Sequence, residues 1–168
     1  PGKDPDAFLD AIAKACRDHK IDVLLPMTEV TTLLLTERRQ SLPEGTVLPF
    51  ASSASIASAS DKAGVVGVAA ELGVPVPETN RLENKGAINA LKGKLTFPVV
   101  IKPARSRVRT HQGYISTGVS YAQSETDLLQ QIEALPEEIF PILLQERIDG
   151  PGGGVFACYD HGKPIAWF

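Results

Sequence analysis

Several features that identify particular protein classes are scarce or missing in this sequence of 168 residues. Only two cysteines occur, Cys16 and Cys158, and their spacing matches neither a disulfide framework nor a zinc site. We expect two reduced, mostly buried thiols. No apolar stretch approaches the ~20 residues that a membrane-spanning helix needs, so no membrane partner is expected. The opening segment PGKDPDAFLD lacks the apolar centre of a signal peptide, which favours a cytoplasmic protein.

Excess positive charge is also missing. The formal net charge is −3, whereas a general nucleic-acid binder needs a positive field to collect phosphates. Nucleic acid is therefore not the expected partner. The hydrophobic fraction of 43% is sufficient for a core, and the length allows either one domain or two small lobes.

The two ends of the chain do not resemble natural termini. The chain begins with Pro1 and ends with Trp167-Phe168, inside an apparent strand. Because an exposed aromatic strand end favours aggregation, we expect a fragment of a longer protein. A homodimer that covers such a surface is left open.

Residues 1–59 have the alternation of an α/β lobe. Asp4 can cap a helix whose first residue is Pro5, and Thr28 can cap a second helix. Short apolar strands are predicted at 21–25 and 46–50, which favours parallel pairing. The small-residue segment 51–60 is predicted to be a connector with one helical turn.

A third helix is predicted from the Ser58–Asp61 capping box to about Leu72. Gly64 and Gly67 each weaken such a helix by about 1 kcal/mol relative to alanine, so a packing reason for them is expected. Gly73 can end this helix in the left-handed conformation. The proline-rich segment 74–79 must then be extended.

The stretch 95–121 contains most of the candidate anion-binding residues. It begins with an apolar strand, residues 97–101, which ends at Lys102. A loop with cationic side chains and a second predicted strand, residues 114–121, follow; the cations are Arg105, Arg107, Arg109 and His111. Arginines with few acidic neighbours favour an anion, so we predict a polyphosphate cradle. The alternative is a solvated strand edge.

The rest of the chain is predicted to contain a helix, a strand and a hairpin. Ser124 can cap a helix to about Leu135, and 141–145 is predicted to be a buried strand. Residues 155–159 and 164–168 are predicted to form a β-hairpin.

Two lysines are the strongest candidates for anion binding. Lys102 lies at the end of a buried strand, although an ordinary solvated lysine is equally compatible with its position. Lys62 lies in the first turn of its helix, where the macrodipole disfavours a cation. An anion shared with the helix N-terminus would remove this conflict, and an exposed lysine with a small penalty is the alternative.

The remaining polar residues indicate no catalytic group. Backbone groups of the segment 145–148 can hydrogen-bond the edge of a purine, a mode that leaves little side-chain signature. Ser106 and Ser116 have no base partner in the sequence pattern, so no nucleophile is predicted. The three histidines form no pair or triad by spacing and are predicted to lie at the surface: His19, His111 and His161.

Four segments together resemble the ATP-grasp superfamily, in its carbamoyl-phosphate-synthetase-like branch of carboxylate ligases. They are IDVLLPMTE from Ile21, SDKAGVVGVAAELGVPVPET from Ser60, FPVVIKPARS from Phe97 and LLQERIDGPGGGVFA from Leu143. The resemblance implies part of a parallel pre-ATP-grasp α/β lobe in 1–59. It implies the N-terminal lobe of an ATP-grasp domain in 60–168.

The same resemblance implies an ATP-dependent ligase that activates a small-molecule carboxylate as an acyl phosphate, which an amine or thiol then attacks. Lys62 and Lys102 would contact the phosphates of ATP, and the loop with Arg105 and Ser106 would cover them. The segment Gln145, Glu146, Arg147 and Ile148 would hold adenine, through the Glu146 carbonyl and the Ile148 amide. Phosphoryl transfer of this kind depends on positioning and charge neutralisation.

Two departures from the family pattern matter. The phosphate-covering loop of the family is usually glycine-rich, whereas 105–112 contains no glycine. The family's Mg²⁺-binding carboxylates would follow residue 168, so the fragment alone is expected to be inactive. A non-catalytic nucleotide-binding or interaction module is the rival prediction, and an anion-binding domain unrelated to ATP is a third.

Overall fold

The computed structural model describes residues 3–105, 107–110, 113–116 and 118–168, and it describes side chains outside 106–117. The helices are α1 (Pro5–Asp18), α2 (Glu29–Glu37), α3 (Ser53–Ser60), α4 (Lys62–Glu71) and α5 (Glu125–Ala134), with 3₁₀ helices at Arg39–Ser41, Lys85–Leu91 and Glu137–Ile139. The strands are β1 (Thr79–Leu82), β2 (Val99–Pro103), β3 (Arg107–Thr110), β4 (Gly113–Ser116), β5 (Ser120–Ala122), β6 (Ile142–Glu146), β7 (Ala157–Asp160) and β8 (Lys163–Trp167). None of the described helices has the length and apolarity to cross a membrane.

The first part of the chain forms a small α/β lobe. The Asp4 carboxylate accepts a hydrogen bond from the Ala7 amide and caps α1, as the sequence predicts. Leu9, Leu35 and Leu48 form its buried core. The two predicted strands pair in parallel, but only through a single bridge between Val23 and Val47.

The connector between the lobes differs from the prediction. Residues 53–60 form the full helix α3 instead of one turn, and Asp61 rather than Ser58 caps α4. The expected packing reason for Gly67 is wrong, because a Cβ at this position would meet nothing within 4 Å. Gly73 has the left-handed conformation that was predicted, with φ of 74°.

A four-stranded antiparallel sheet in the order β1-β6-β2-β5 forms the centre of the second part. Its strands β2 and β6 come from the apolar runs that the sequence indicates. Burial alternates along β2, whereas the first four residues of β6 are all buried. Helix α5 and the 3₁₀ helix at Lys85–Leu91 cover one face of this sheet. Their core contains Leu82, Ile88, Val99, Ile101, Ala122, Leu128, Ile132, Ile139, Ile142 and Leu144.

The run 114–121 is not one returning strand. It is divided between β4, which pairs with β3, and β5, which joins the main sheet. The predicted cationic loop therefore contains strand β3. The backbone of residues 107–110 is a strand rather than an open loop. The predicted hairpin β7–β8 is confirmed, and its two turn residues have positive φ, 47° for His161 and 80° for Gly162, as a type I′ turn requires.

Candidate functional site

The polar face of the main sheet, opposite the helix-covered core, is the candidate site. Because residues alternate between faces, Val99 and Ile101 face the core whereas Lys102 belongs to the other face. The register places Gln145 beside Thr79 on one side and beside Val100 on the other. Tyr121 of β5 is the next residue along this row.

Lys102 is held in a hydrogen-bond chain on this face. Its Nζ donates to Gln145 Oε1 at 2.6 Å, and Gln145 Nε2 donates to Thr79 Oγ1 at 2.7 Å. Thr79 Oγ1 in turn donates to the Pro77 carbonyl at 2.8 Å. Gln145 is 8% exposed, and a buried amide needs such partners at both ends. The chain therefore connects the ammonium group to the extended segment before β1.

Lys62, 40 residues earlier in the sequence, lies at the same end of β2. Its Nζ donates to the Pro103 carbonyl at 3.4 Å, and its backbone amide donates to the Ala104 carbonyl at 3.1 Å. The Ala63 amide donates to the Asp61 carboxylate at 3.1 Å. Oxygen atoms of the protein thus accept the hydrogen bonds of these two backbone amides at the N-terminus of α4. An anion here would meet the ammonium group of Lys62 rather than these two amides.

Lys62 acts electrostatically on Lys102. Burial lowers the pKa of Lys102 below its usual range, and the positive charge of Lys62 lowers this pKa further. Both effects disfavour the ammonium form. A bound anion would oppose both, so this end of β2 is suited to phosphate or carboxylate.

The last residue of β6, Glu146, and the segment that follows it contact β5 and the residues before β1. The Glu146 amide donates to the Glu78 carbonyl at 2.8 Å, and the Glu146 carboxylate accepts from the Glu78 amide at 3.1 Å. Arg147 lies with its guanidinium carbon 5.9 Å from the Tyr121 ring centroid and forms a 2.7 Å ion pair with Asp149. Ile148 is 66% exposed. The adenine contacts at Glu146 and Ile148 stay predictions.

The arginine segment is only partly described. Arg105 is exposed directly after the buried Ala104. Ser106 and His111 lie outside the described residues, as do the side chains of Arg107 and Arg109. A phosphate-covering role of this segment stays a prediction.

Two residues of this region were not singled out from the sequence. Thr79 belongs to no recognisable sequence motif, and the strand that contains it is polar apart from Leu82. Arg81 bonds the Glu83 carboxylate at 2.7 Å and lies 3.6 Å from Asp61, the cap of α4. The hydrogen bond that Arg81 donates to the Glu83 carboxylate, with a smaller contribution from Asp61, raises the pKa of Arg81. The ion pair joins the start of α4 to β1.

Other predicted features lie apart from this face. Cys16 is buried, but Cys158 is exposed, so the prediction of two mostly buried thiols is wrong for Cys158. Within the described part of the chain, no group of three or more His, Cys, Asp or Glu residues could hold a metal ion. A shallow groove of about 800 Å³ lies on the helical side of the sheet instead, and its lining includes Lys85, Leu129 and Glu133.

Comparison with known proteins supports the fold but not a specific identity. No protein-family profile and no curated protein sequence matches the chain. An L-amino acid ligase from Bacillus licheniformis has a similar structure, with a TM-score of 0.62 and 18% identity over 92% of this chain and 32% of its own. The ADP complex of an N5-carboxyaminoimidazole ribonucleotide synthetase gives 0.58 and 16% identity, with coverage of 86% and 34%.

A D-alanine–D-alanine ligase from Helicobacter pylori is a third similar structure, with a TM-score of 0.50 and 21% identity over 80% of this chain. The chain spans about a third of the first two structures, 32% and 34%. These proteins are ATP-grasp ligases, so the chain has part of the ATP-grasp fold, as the four sequence segments indicated. At these identities the likeness shows the fold, and function must come from the site.

Proposed function

We propose that this chain is the N-terminal part of an ATP-dependent carboxylate–amine or carboxylate–thiol ligase. In this proposal the polar face of the sheet binds the nucleotide, and the ligase activates a small-molecule carboxylate as an acyl phosphate. The chain alone is inactive, because the remaining groups of the active site lie outside it. The lobe boundary near residue 60 belongs to the same proposal.

The observation that carries the proposal is the meeting of two distant lysines at one end of β2. Lys62 bonds the carbonyl of Pro103, the residue that follows Lys102. The positive charge of Lys62 disfavours the ammonium form of Lys102, and a bound anion would oppose this effect. Phosphoryl transfer is promoted largely by positioning and by neutralising phosphate charge, which two ammonium groups supply.

Mg²⁺ belongs to this reaction type, but the described residues do not fit it. They offer no cluster of carboxylates for a divalent ion, and Mg²⁺ prefers carboxylates and phosphate oxygens. We therefore assign Mg²⁺ no ligand here. Lys62 and Lys102 would hold the phosphates, and the Glu146 carbonyl and the Ile148 amide would hold adenine.

Substrate-dependent ADP release tests the proposal. A longer protein that contains this chain is incubated with ATP, Mg²⁺ and a broad panel of amino acids and other carboxylic acids, beside the chain alone and Lys102→Ala. We expect at least one acid to stimulate ADP release by the longer protein, with loss of that stimulation in the variant. Absence of stimulation across the panel would contradict the ligase proposal.

A non-catalytic nucleotide-binding module is the second candidate, because 105–112 contains no glycine and strand β3 occupies part of it. The two candidates differ in turnover and share nucleotide binding. ADP binding by the longer protein without ADP release for any acid would favour the module.

A further inference from the structure

Gln145 is the buried polar residue at the centre of the candidate site. It was predicted as part of the nucleotide-binding segment, but both ends of its side-chain amide are already bonded within the protein. Its side chain is also largely inaccessible, with the residue 8% exposed. A group in this state has little capacity left for a ligand.

The direction of the hydrogen-bond chain is fixed by chemistry. The Lys102 ammonium has only donors, so the amide oxygen of Gln145 must face it. The amide NH₂ then donates a hydrogen bond to Thr79 Oγ1. The Thr79 hydroxyl in turn donates to the Pro77 carbonyl, a group that can only accept. Each member therefore has one favourable orientation, and reversing the Gln145 amide would oppose two donors.

We propose that Gln145 is a positioning residue that holds the Lys102 ammonium at the phosphate site through Thr79 and Pro77, and does not contact the nucleotide. A lysine has four rotatable side-chain bonds, and its free ammonium would sample many positions. A hydrogen bond between a charged donor and a buried acceptor restricts this freedom. Its anchor is the backbone before β1, which the Glu78–Glu146 hydrogen bonds hold to β6.

The first test uses the protein without nucleotide. Gln145→Met keeps the approximate volume but removes both hydrogen bonds. Because the lost acceptor stabilised the ammonium form, we expect the pKa of Lys102 to fall below its wild-type value. Site-resolved ¹³C NMR of labelled lysine, assigned with Lys102→Arg, measures this change. Gln131→Met is the matched control, since Gln131 also bonds at both ends of its amide but bonds Ser120, Asp127 and Tyr121.

A second measurement needs no variant. In the wild-type protein the side-chain NH₂ resonances of Gln145 should titrate with the same midpoint as Lys102, because deprotonation removes the charge that its oxygen faces. If Gln145→Met does not fold, this coupled titration decides alone. Independent midpoints, or an unchanged Lys102 pKa in a folded Gln145→Met, would overturn the positioning role.

A third measurement, ADP binding, rests on the proposed function. It distinguishes failure of the proposed nucleotide site from failure of the positioning role of Gln145. We expect Gln145→Met to weaken ADP binding about tenfold, with Gln131→Met close to wild type. If wild type binds ADP and Gln145→Met binds it equally well, the positioning role is wrong and the nucleotide site stands. If wild type does not bind ADP but the Lys102 pKa responds to Gln145→Met, the nucleotide site is wrong and the positioning role stands.

Discussion

At the scale of single residues, Lys102 combines partial burial with a nearby like charge. Burial and Lys62 both lower its pKa, and a bound phosphate would raise this pKa again. Between the pKa of the free protein and that of the complex, nucleotide binding must therefore take up protons. The sign follows directly: ADP affinity falls as pH rises through the lowered pKa of free Lys102.

Calorimetry at alkaline pH, in two buffers of different ionisation enthalpy, measures this proton uptake. We expect uptake approaching about one proton per ADP in the wild-type protein. Lys102→Arg should bind with much smaller uptake, because a guanidinium stays charged throughout this range. Equal proton uptake in both proteins would show that another group titrates, and would contradict the role of Lys102.

A residue's role could be predicted from the sequence where it depends on neighbouring residues, and could not where it depends on residues distant in the chain. Lys102 was predictable because an apolar run ends at it. The role of Gln145 depends on Thr79, 66 residues away, and spacing carries no trace of such a contact. One signal was available: a polar residue at the end of the buried run 141–145 needs a partner.

At the scale of elements, helix α4 contains a glycine for which the structure shows no packing reason. Gly67 is exposed, and an added Cβ would meet nothing within 4 Å. Gly67→Ala should therefore raise the free energy of unfolding by about 0.5–1 kcal/mol. Gly73→Ala at the end of the same helix should lower it, because φ at this position is 74°.

Urea unfolding of the two glycine variants beside wild type gives this comparison. A destabilised Gly67→Ala would indicate that something covers this face of α4 in solution.

Elements were predictable where local chemistry defines them. The caps Asp4, Thr28 and Ser124 are confirmed because each side chain accepts a hydrogen bond from the amide three residues later. Strand β1 was missed because TNRL has little strand character of its own and forms by pairing with β6. The division of 114–121 was missed for the same reason, since different partners pair with its two halves.

At the scale of the whole chain, two separate cores support the proposed division near residue 60. Leu35 belongs to the core of the first lobe and Leu128 to that of the second. Each truncation to alanine should cost about 2–5 kcal/mol, but only in its own lobe. The first lobe, with its small core, should open more readily.

Amide hydrogen exchange followed by NMR resolves the two lobes. Leu35→Ala should accelerate exchange in 5–50 while leaving β2 and β6 protected, and Leu128→Ala should accelerate exchange in β2 and β6. If either variant accelerates exchange equally in both lobes, the chain unfolds as one unit and the division is wrong.

The most direct test of the central claim, that the polar sheet face binds nucleotide phosphates, is an ADP titration of this chain followed by amide NMR. Wild type is compared with Lys102→Ala and with Lys92→Ala, a variant of an exposed lysine outside the site. We predict shifts at Lys62, Lys102 and 145–148, with Kd raised at least about tenfold in Lys102→Ala and unchanged in Lys92→Ala. Shifts elsewhere, or equal binding by Lys102→Ala, would contradict the account.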